Sequence, residues 1–340
     1  MLDLTTWLTQ NALNILVAIA VLVLAILLDL VVGDPSPNYP DRLLFKLHPT
    51  VLMGNFTKKI EPYFKNPDAK TEKFLGVLLG LTVIAAFAVP TFLVLWAIYT
   101  YAPFYLNILI YGFIGIILLK MTICIKLETD WAKATAKALN ADNAEEAKKY
   151  SHFSRRDSRN LNSSQMGSAV IESMSENLID FKLSPMMSFA LFGVTGAVAF
   201  RAINTLDGMV GFKTKEHINT GWFSANLDNF VNFIPTRLTA LLMIVAAAIL
   251  RMDAKNAWRV ARRDHRKTPS RNHGWPMAAV AGALRIQLEK PGQYILGDAQ
   301  EPLTGDKVLG ALRIRDVTIV LWGLLCVAVL VVVRLWFMPI

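Results

Sequence analysis

Cysteine is scarce in this sequence and charge is low. Its two cysteines, Cys124 and Cys326, lie far apart, beside or inside apolar runs, so no disulfide framework or cysteine metal site can be argued from them. Only 18% of the 340 residues are charged against 54% hydrophobic, and the mean hydropathy of +0.40 is too high for an ordinary soluble domain. The catalytic motifs that announce the common enzyme plans are missing too. There is no Walker A sequence, no GxGxxG opening a helix after a strand, no HExxH and no GxSxG, which excludes the usual nucleotide, zinc and serine-hydrolase arrangements. Residues 1–12 hold no lysine or arginine and the apolar run 12–32 is as long as a full span, so a cleavable signal peptide is not expected. No internal repeat or low-complexity linker divides the chain, which reads as one integral-membrane domain over 1–340.

What is present is a set of long apolar runs. Segments at about 12–32, 74–98, 104–123 and 317–337 have the length and composition of spanning helices. Two more, 183–200 and 233–250, are short or marked by Pro185, Gly193 and Gly196, and such segments can be re-entrant or line a cavity. The expected fold is an all-α polytopic membrane protein with four to six transmembrane helices and cytosolic helical loops at about 33–73, 124–182 and 251–316. Loop charge gives the orientation. The first loop carries Arg42, Lys46, Lys58, Lys59, Lys65, Lys70 and Lys73, and 251–316 carries 13 lysines and arginines, so both belong in the cytosol. The reading is a multi-pass protein of the cell membrane, N-terminus outside, with its main loops and active site cytosolic. The two short segments must then span together or not at all; if neither spans, the polar clusters within 151–237 can share one cavity, the arrangement we expect.

Residues 151–237 gather polar and charged groups between these oily segments. Glu172, Glu176 and Asp180 are spaced four apart, so on a helix they form a stripe at roughly 6 Å intervals. Like charges so placed repel, and the next cation is Lys182, so a metal ion or a cationic partner would stabilise the stripe. Asn204 with Asp207 and Asp228 with Asn232 repeat the theme of carboxylate and carboxamide at helical spacing. Ahead of the stripe, Arg155, Arg156 and Arg159 precede a helix that 162–164 can cap, which suits a phosphate clamp or contact with lipid headgroups. Arg237 can hold phosphate or anchor a span at the headgroups. Together these groups suggest a site for a metal-bound phosphate compound.

Elsewhere, Asp29 near the end of the first span is either functional or merely hydrated, and His48 suits a structural hydrogen bond. Residues 129–150 read as two short helices joined at Asn140, with Asp142 and Glu145 as a capping box. The basic helix 253–267 puts Lys255, Arg259, Arg262 and Arg266 on one face, a pattern for anionic lipid rather than nucleic acid. The turn 270–275, which includes His273, concentrates hydrogen-bonding side chains before an Ala- and Gly-rich helix.

Two enzyme classes use acidic metal ligands and arginines without a Walker motif. One is a membrane prenyl- or alcohol-phosphotransferase, in which paired Asp-rich motifs hold magnesium against a diphosphate, although neither Asn204/Asp207 nor Asp228/Asn232 is the full double-Asp pattern. The other is an ATP-dependent ligase. The blocks SRRDSRNLNSSQMGSAVIESMSENLIDFKLSP, AFRAINTLDGMVGFKTKEHINTGWFSANLDNFVNFIPTRLTALL and SRNHGWPMAAVAGAL, with GDP at 33–35 and HPTVLMG at 48–54, resemble the adenosylcobinamide-phosphate synthase family of cobalamin biosynthesis (CbiB/CobD type). The likeness runs through nearly the whole chain in order.

That resemblance implies an acid–amine ligase that joins adenosylcobyric acid to (R)-1-amino-2-propanol or its O-phosphate, with Mg2+ and ATP as co-substrate and a corrinoid as substrate. On it, Glu172, Glu176, Asp180, Asp207 and Asp228 form the acidic, catalytic wall, with Glu172, Glu176 and Asp207 as metal ligands. Arg155, Arg156, Arg201 and Arg237 hold phosphates; Asn177, Asn204 and Asn232 orient substrate amides, and His273 joins them as a cofactor-binding residue. Implied partners are the substrates, the lipid bilayer and other corrinoid-pathway enzymes at the membrane, with no nucleic acid. A corrinoid transporter or scaffold is a third reading and requires binding without ATP turnover.

Overall fold

The structure, a computed structural model, describes residues 4–150 and 161–336. In chain order the helices are α1 (Leu4–Val32), α2 (Leu43–Lys46), α3 (Pro49–Ile60), α4 (Ala69–Tyr101), α5 (Phe104–Lys120), α6 (Lys126–Asn140), α7 (Ala144–Lys149), α8 (Ser163–Leu178), α9 (Ser184–Val210), α10 (Trp222–Val231), α11 (Phe233–Ile249), α12 (Ala254–Asp264), α13 (Gly274–Leu284) and α14 (Gly305–Trp336). A π turn, Ile179–Leu183, joins α8 to α9. The one hairpin among the described residues, β1 (Gln287–Lys290) with β2 (Tyr294–Gly297), pairs antiparallel with Glu289 opposite Ile295. The expected all-α class therefore holds, with a small hairpin that no alternating pattern had signalled.

Four stretches are long and apolar enough to cross a membrane: Ala12–Val32, Ala69–Tyr101, Ser163–Val210 and Gly305–Leu335; the count is five if α10 and α11 form one broken span. Their exposed residues are oily, among them Leu24, Leu27, Phe92, Leu93, Val320 and Leu324, as a lipid-facing surface requires. The run read as 104–123 is helical only to Lys120; its 17 residues make about 26 Å of helix, the short end of the spanning range. The last run is longer than read, because α14 begins at Gly305.

The chain forms two compact units. The first comprises Met1–Cys124, Ser184–Val231 and Leu324–Ile340; the second comprises Ile125–Leu183 and Asn232–Gly323. In the first, α4 packs on α9, α1 on α5, and α3 and α10 on α9. Leu79, Val83, Leu206 and Val210 form one buried cluster there. Asp68 caps α4 by accepting from the Thr71 backbone N–H at 2.8 Å. One turn on, Glu72 accepts from Asn219 at 3.0 Å and Thr220 at 2.8 Å, which fastens α4 to the segment before α10. Gly76 is a glycine for want of room: a Cβ there would lie 2.2 Å from the Thr220 carbonyl oxygen. In α9, Gly193 takes φ 68° and ψ −164°, so the helix is broken where the small residues had suggested an irregular segment.

In the second unit α12 packs on α13, α11 on both, and α8 on β1, α6 and α13. Asn162 and Gln165 complete a capping box at the start of α8, as expected of 162–164. Asp253 caps α12. The cap between α6 and α7 differs from the Asp142/Glu145 reading by one residue. Asp142 takes φ 52° to reverse the chain, a conformation that a short polar side chain tolerates, and Asn143 caps α7 by accepting from the Glu146 N–H at 2.9 Å. The lipid-facing stripe expected on α12 is also partly spoken for, because Arg259 bonds Asp298 at 2.6 Å.

Candidate active site

In the second unit the polar groups converge where α8 ends. Pro185 gives the reason for the π turn there: it lacks an N–H and its ring crowds the carbonyl four residues back, at Phe181, which a wider turn accommodates. Glu172 and Glu176 lie on α8 and Asp180 inside the wide turn, so the regular i, i+4 stripe is interrupted before its third member. The three carboxylates have different surroundings. Glu172 is buried, and its oxygens accept from the Ser168 and Tyr294 hydroxyls, each at 2.6 Å. Ser168 in turn accepts from the Glu289 N–H at 2.7 Å, so the hairpin is what fixes this carboxylate. Glu176 is half-buried, and its carboxylate makes no hydrogen bond or ion pair among the described residues. Asp180 accepts from Asn232 at 3.5 Å and lies 3.5 Å from the His273 imidazole.

The turn that carries His273 is fixed from within. The Ser270 hydroxyl accepts from the backbone N–H of Asn272 at 3.3 Å and of His273 at 3.2 Å, and the Thr268 hydroxyl donates to the Ser270 carbonyl at 2.9 Å. Gly274 comes next because a Cβ there would meet the His265 carbonyl oxygen at 2.1 Å. Arg237 is stacked on Phe233, with its guanidinium 3.7 Å from the ring centroid, and donates to the Asn272 side chain at 2.6 Å. Asp180, Asn232, Arg237, Asn272 and His273 thus come from three distant stretches into three linked contacts. Asn177 is half-buried on α8, and its carbonyl accepts from Lys182 at 3.4 Å.

In the first unit Arg201 is buried and donates to the Asn204 carboxamide at 3.2 Å and to the Thr122 carbonyl; Asn204 donates to Asp228 at 3.4 Å. Asp207 is half-buried beside Gly211, whose added Cβ would collide with it. Asp29 is fully buried, which removes the hydrated reading, and Lys120 lies 3.3 Å from it and also pairs with Asp34. Burial would raise the Asp34 pKa, but His48, 3.6 Å away, and Lys120 outweigh it and hold the carboxyl below the usual range. His48 approaches Asp34 through Nε2, which is buried and makes no hydrogen bond among the described residues, so the hydrogen bond expected of it is not seen there. Arg155, Arg156 and Arg159 lie outside the described residues.

Sequence reasoning missed two buried ionic groups in the second unit. Lys182 is fully buried 2.8 Å from Glu128, and Arg315 pairs with the same oxygen at 2.9 Å. A lone lysine inside an apolar run was the available signal. Asp264 accepts from Arg263 at 2.7 and 2.8 Å, from Lys267 at 2.7 Å and from the Gly297 N–H at 2.8 Å. Burial pushes its pKa up, and these donors more than reverse that, to about 2.

Among the described residues no three His, Cys, Asp or Glu side chains gather closely enough to hold a metal ion by themselves. Magnesium asks for less: one or two carboxylates, with waters and substrate phosphates completing its shell. Glu176 fits that requirement, whereas both oxygens of Glu172 already accept hydrogen bonds.

Residues 22–332 match the family described as CobD/Cbib protein. A protein of Methanothermobacter thermautotrophicus named "Probable cobalamin biosynthesis protein CobD" is 37% identical over 315 residues, 93% of this chain and 99% of the relative. The "Cobalamin biosynthesis protein CobD" of Dehalococcoides mccartyi is 34% identical over 319 residues, 93% and 98% of the two chains. No solved structure matches. A match along nearly the full length of chain and relatives alike makes this protein a member of the CobD/Cbib family.

Proposed function

We propose that this protein acts in cobalamin biosynthesis as an ATP-dependent amide ligase that joins adenosylcobyric acid to (R)-1-amino-2-propanol or its O-phosphate, giving adenosylcobinamide or its phosphate. The family match over residues 22–332 carries this reading, with relatives named for cobalamin biosynthesis. A carboxylate is a poor acylating agent, so the γ-phosphoryl group of ATP is transferred to it, leaving ADP. The amine nitrogen then attacks the acyl carbon, the C–N bond forms, the C–O bond to phosphate breaks, and the ammonium gives up a proton.

The second unit's residues suit these steps. Asp180 and His273, 3.5 Å apart, form an acid–base pair within reach of Asn232 and accept that proton. Glu176 is the carboxylate left available for the amine or, with the triphosphate, for Mg2+. Magnesium, when bound, neutralises phosphate charge. Arg237 offers a guanidinium already oriented by Phe233 and Asn272. We place the site on the cytosolic side, with the N-terminus outside, because the basic loops 33–73 and 251–316 belong there.

The test is to incubate the detergent-purified protein with adenosylcobyric acid, magnesium ATP and either amine, and to weigh the corrinoid by mass spectrometry. The expected result is a mass gain equal to the amide, lost without ATP and in Glu176→Gln. A corrinoid that binds but never changes mass with either amine overturns the ligase reading in favour of a carrier or scaffold.

A further inference from the structure

Three helices of the second unit end on a left-handed residue that is not glycine: α6 on Asp142, and α11 and α13 on arginines. After α11, the Met252 N–H bonds the Ala247 carbonyl at 2.8 Å and the Arg251 N–H bonds that of Ala248 at 3.0 Å. After α13, the Ile286 N–H bonds Ala281 at 3.1 Å and the Arg285 N–H bonds Gly282 at 3.2 Å. This paired pattern needs a left-handed residue, for which glycine is the usual choice, yet here the residues are Arg251 at φ 56° and Arg285 at φ 59°. Both line one cavity of about 530 Å³. Arginine at two positions that favour glycine indicates that the side chains matter there more than backbone comfort.

The cavity is also unbalanced in charge. Lys307 and Arg313 complete a set of four cations against the carboxylates of Asp253, Glu301 and Asp306. Each acid already has another task. Asp253 caps α12, Asp306 accepts from Asn140 at 2.8 Å, and Glu301 pairs with Lys307 and lies 3.8 Å from Arg285. Arg251 and Arg313, both exposed, make no side-chain hydrogen bond or ion pair among the described residues.

We propose that this cavity is an anion site that binds a phosphate group between Arg251 and Arg313, with Arg285 and Lys307 supporting it. Guanidinium groups bind phosphate oxygens through paired, charge-assisted hydrogen bonds, and the volume suits a small phosphate ester or the headgroup of an anionic phospholipid. The proposal stands apart from the ligase reading, since it uses none of the residues assigned to that reaction.

The experiment uses the full chain in lipid nanodiscs. Pyrophosphate is titrated calorimetrically against wild type, Arg313→Gln and Arg251→Asn in neutral phosphatidylcholine discs; asparagine is chosen because it tolerates the left-handed conformation. In a second arm, native mass spectrometry counts phosphatidylglycerol retained from mixed discs. Arg313 is exposed on α14 and makes no side-chain hydrogen bond or ion pair among the described residues for its loss to break, so that variant is expected to keep the fold. If the site takes soluble phosphate esters, pyrophosphate binding in neutral discs weakens about tenfold in each variant, as expected for one lost charge-assisted contact. If it takes a headgroup, the variants lose phosphatidylglycerol instead. Pyrophosphate binding and lipid retention that both match wild type in both variants overturn the proposal and leave the arginines as helix terminators only.

Discussion

Glu172 and Tyr294 stand 122 residues apart in sequence and 2.6 Å apart in the fold, with the phenol of β2 donating to a buried carboxylate on α8. A carboxylate so deeply placed depends on its donors. Tyr294→Phe therefore leaves one oxygen of Glu172 without this bond and costs about 1–3 kcal/mol of stability. Thermal unfolding in detergent reads this directly, and an unchanged midpoint would show that the bond carries no weight.

Glu176 presents the opposite case on the same helix. With no side-chain partner among the described residues to lose, Glu176→Gln is expected to unfold within about 0.5 kcal/mol of wild type. On the proposed ligase function, its amide-forming rate falls by about a hundredfold or more. Stability and turnover measured on one preparation separate the two effects.

The buried group of Glu128, Lys182 and Arg315 predicts an asymmetry. Glu128→Gln strands Lys182, which is wholly buried, and costs about 3–5 kcal/mol. Lys182→Met leaves Glu128 paired with Arg315 and costs less. Equal losses in the two variants, by denaturant titration, would contradict this account.

Asp264 ionises at about 2 in the folded protein, against an ordinary 3.8. A depressed carboxyl pKa means that the charged form is favoured by folding. Its contribution is complete above pH 3.8 and disappears as pH falls towards 2. Asp264→Asn should lower stability at neutral pH and flatten the acid limb of the stability–pH curve between those values.

At Gly76 a methyl group has nowhere to go. Gly76→Ala drives a Cβ into the Thr220 carbonyl and costs about 1–3 kcal/mol, which thermal melting measures. Gly292→Ala, with open space around its Cβ but φ 71°, tests strain without collision.

Much of the fold was legible because lipid and water sort residues so strongly. Apolar runs gave the spans in α1, α4 and α14, and the capping residues at 162–164 gave the start of α8. The hairpin was not legible, since QLEK and YILG are too short to show alternation. Within the candidate site, the residue types were visible and their allocation was not. Nothing in the spacing of Glu172 and Glu176 says that one faces Ser168 and Tyr294 while the other has no side-chain partner among the described residues, because the difference comes from a hairpin more than 100 residues away. Likewise Asp180 meets His273 only through a turn whose conformation depends on Ser270 and Thr268.

The π turn at Ile179–Leu183 holds one residue more than an α turn would. In an uninterrupted α-helix each residue advances about 100° around the axis, and a surplus residue breaks that register within the turn itself. The chain thus divides its acids between two outlooks. Glu172 and Glu176 keep the bearing of α8, while Asp180 is swung toward Asn232 and His273. Deleting a single residue from the wide turn would undo that division without removing any of the three carboxylates.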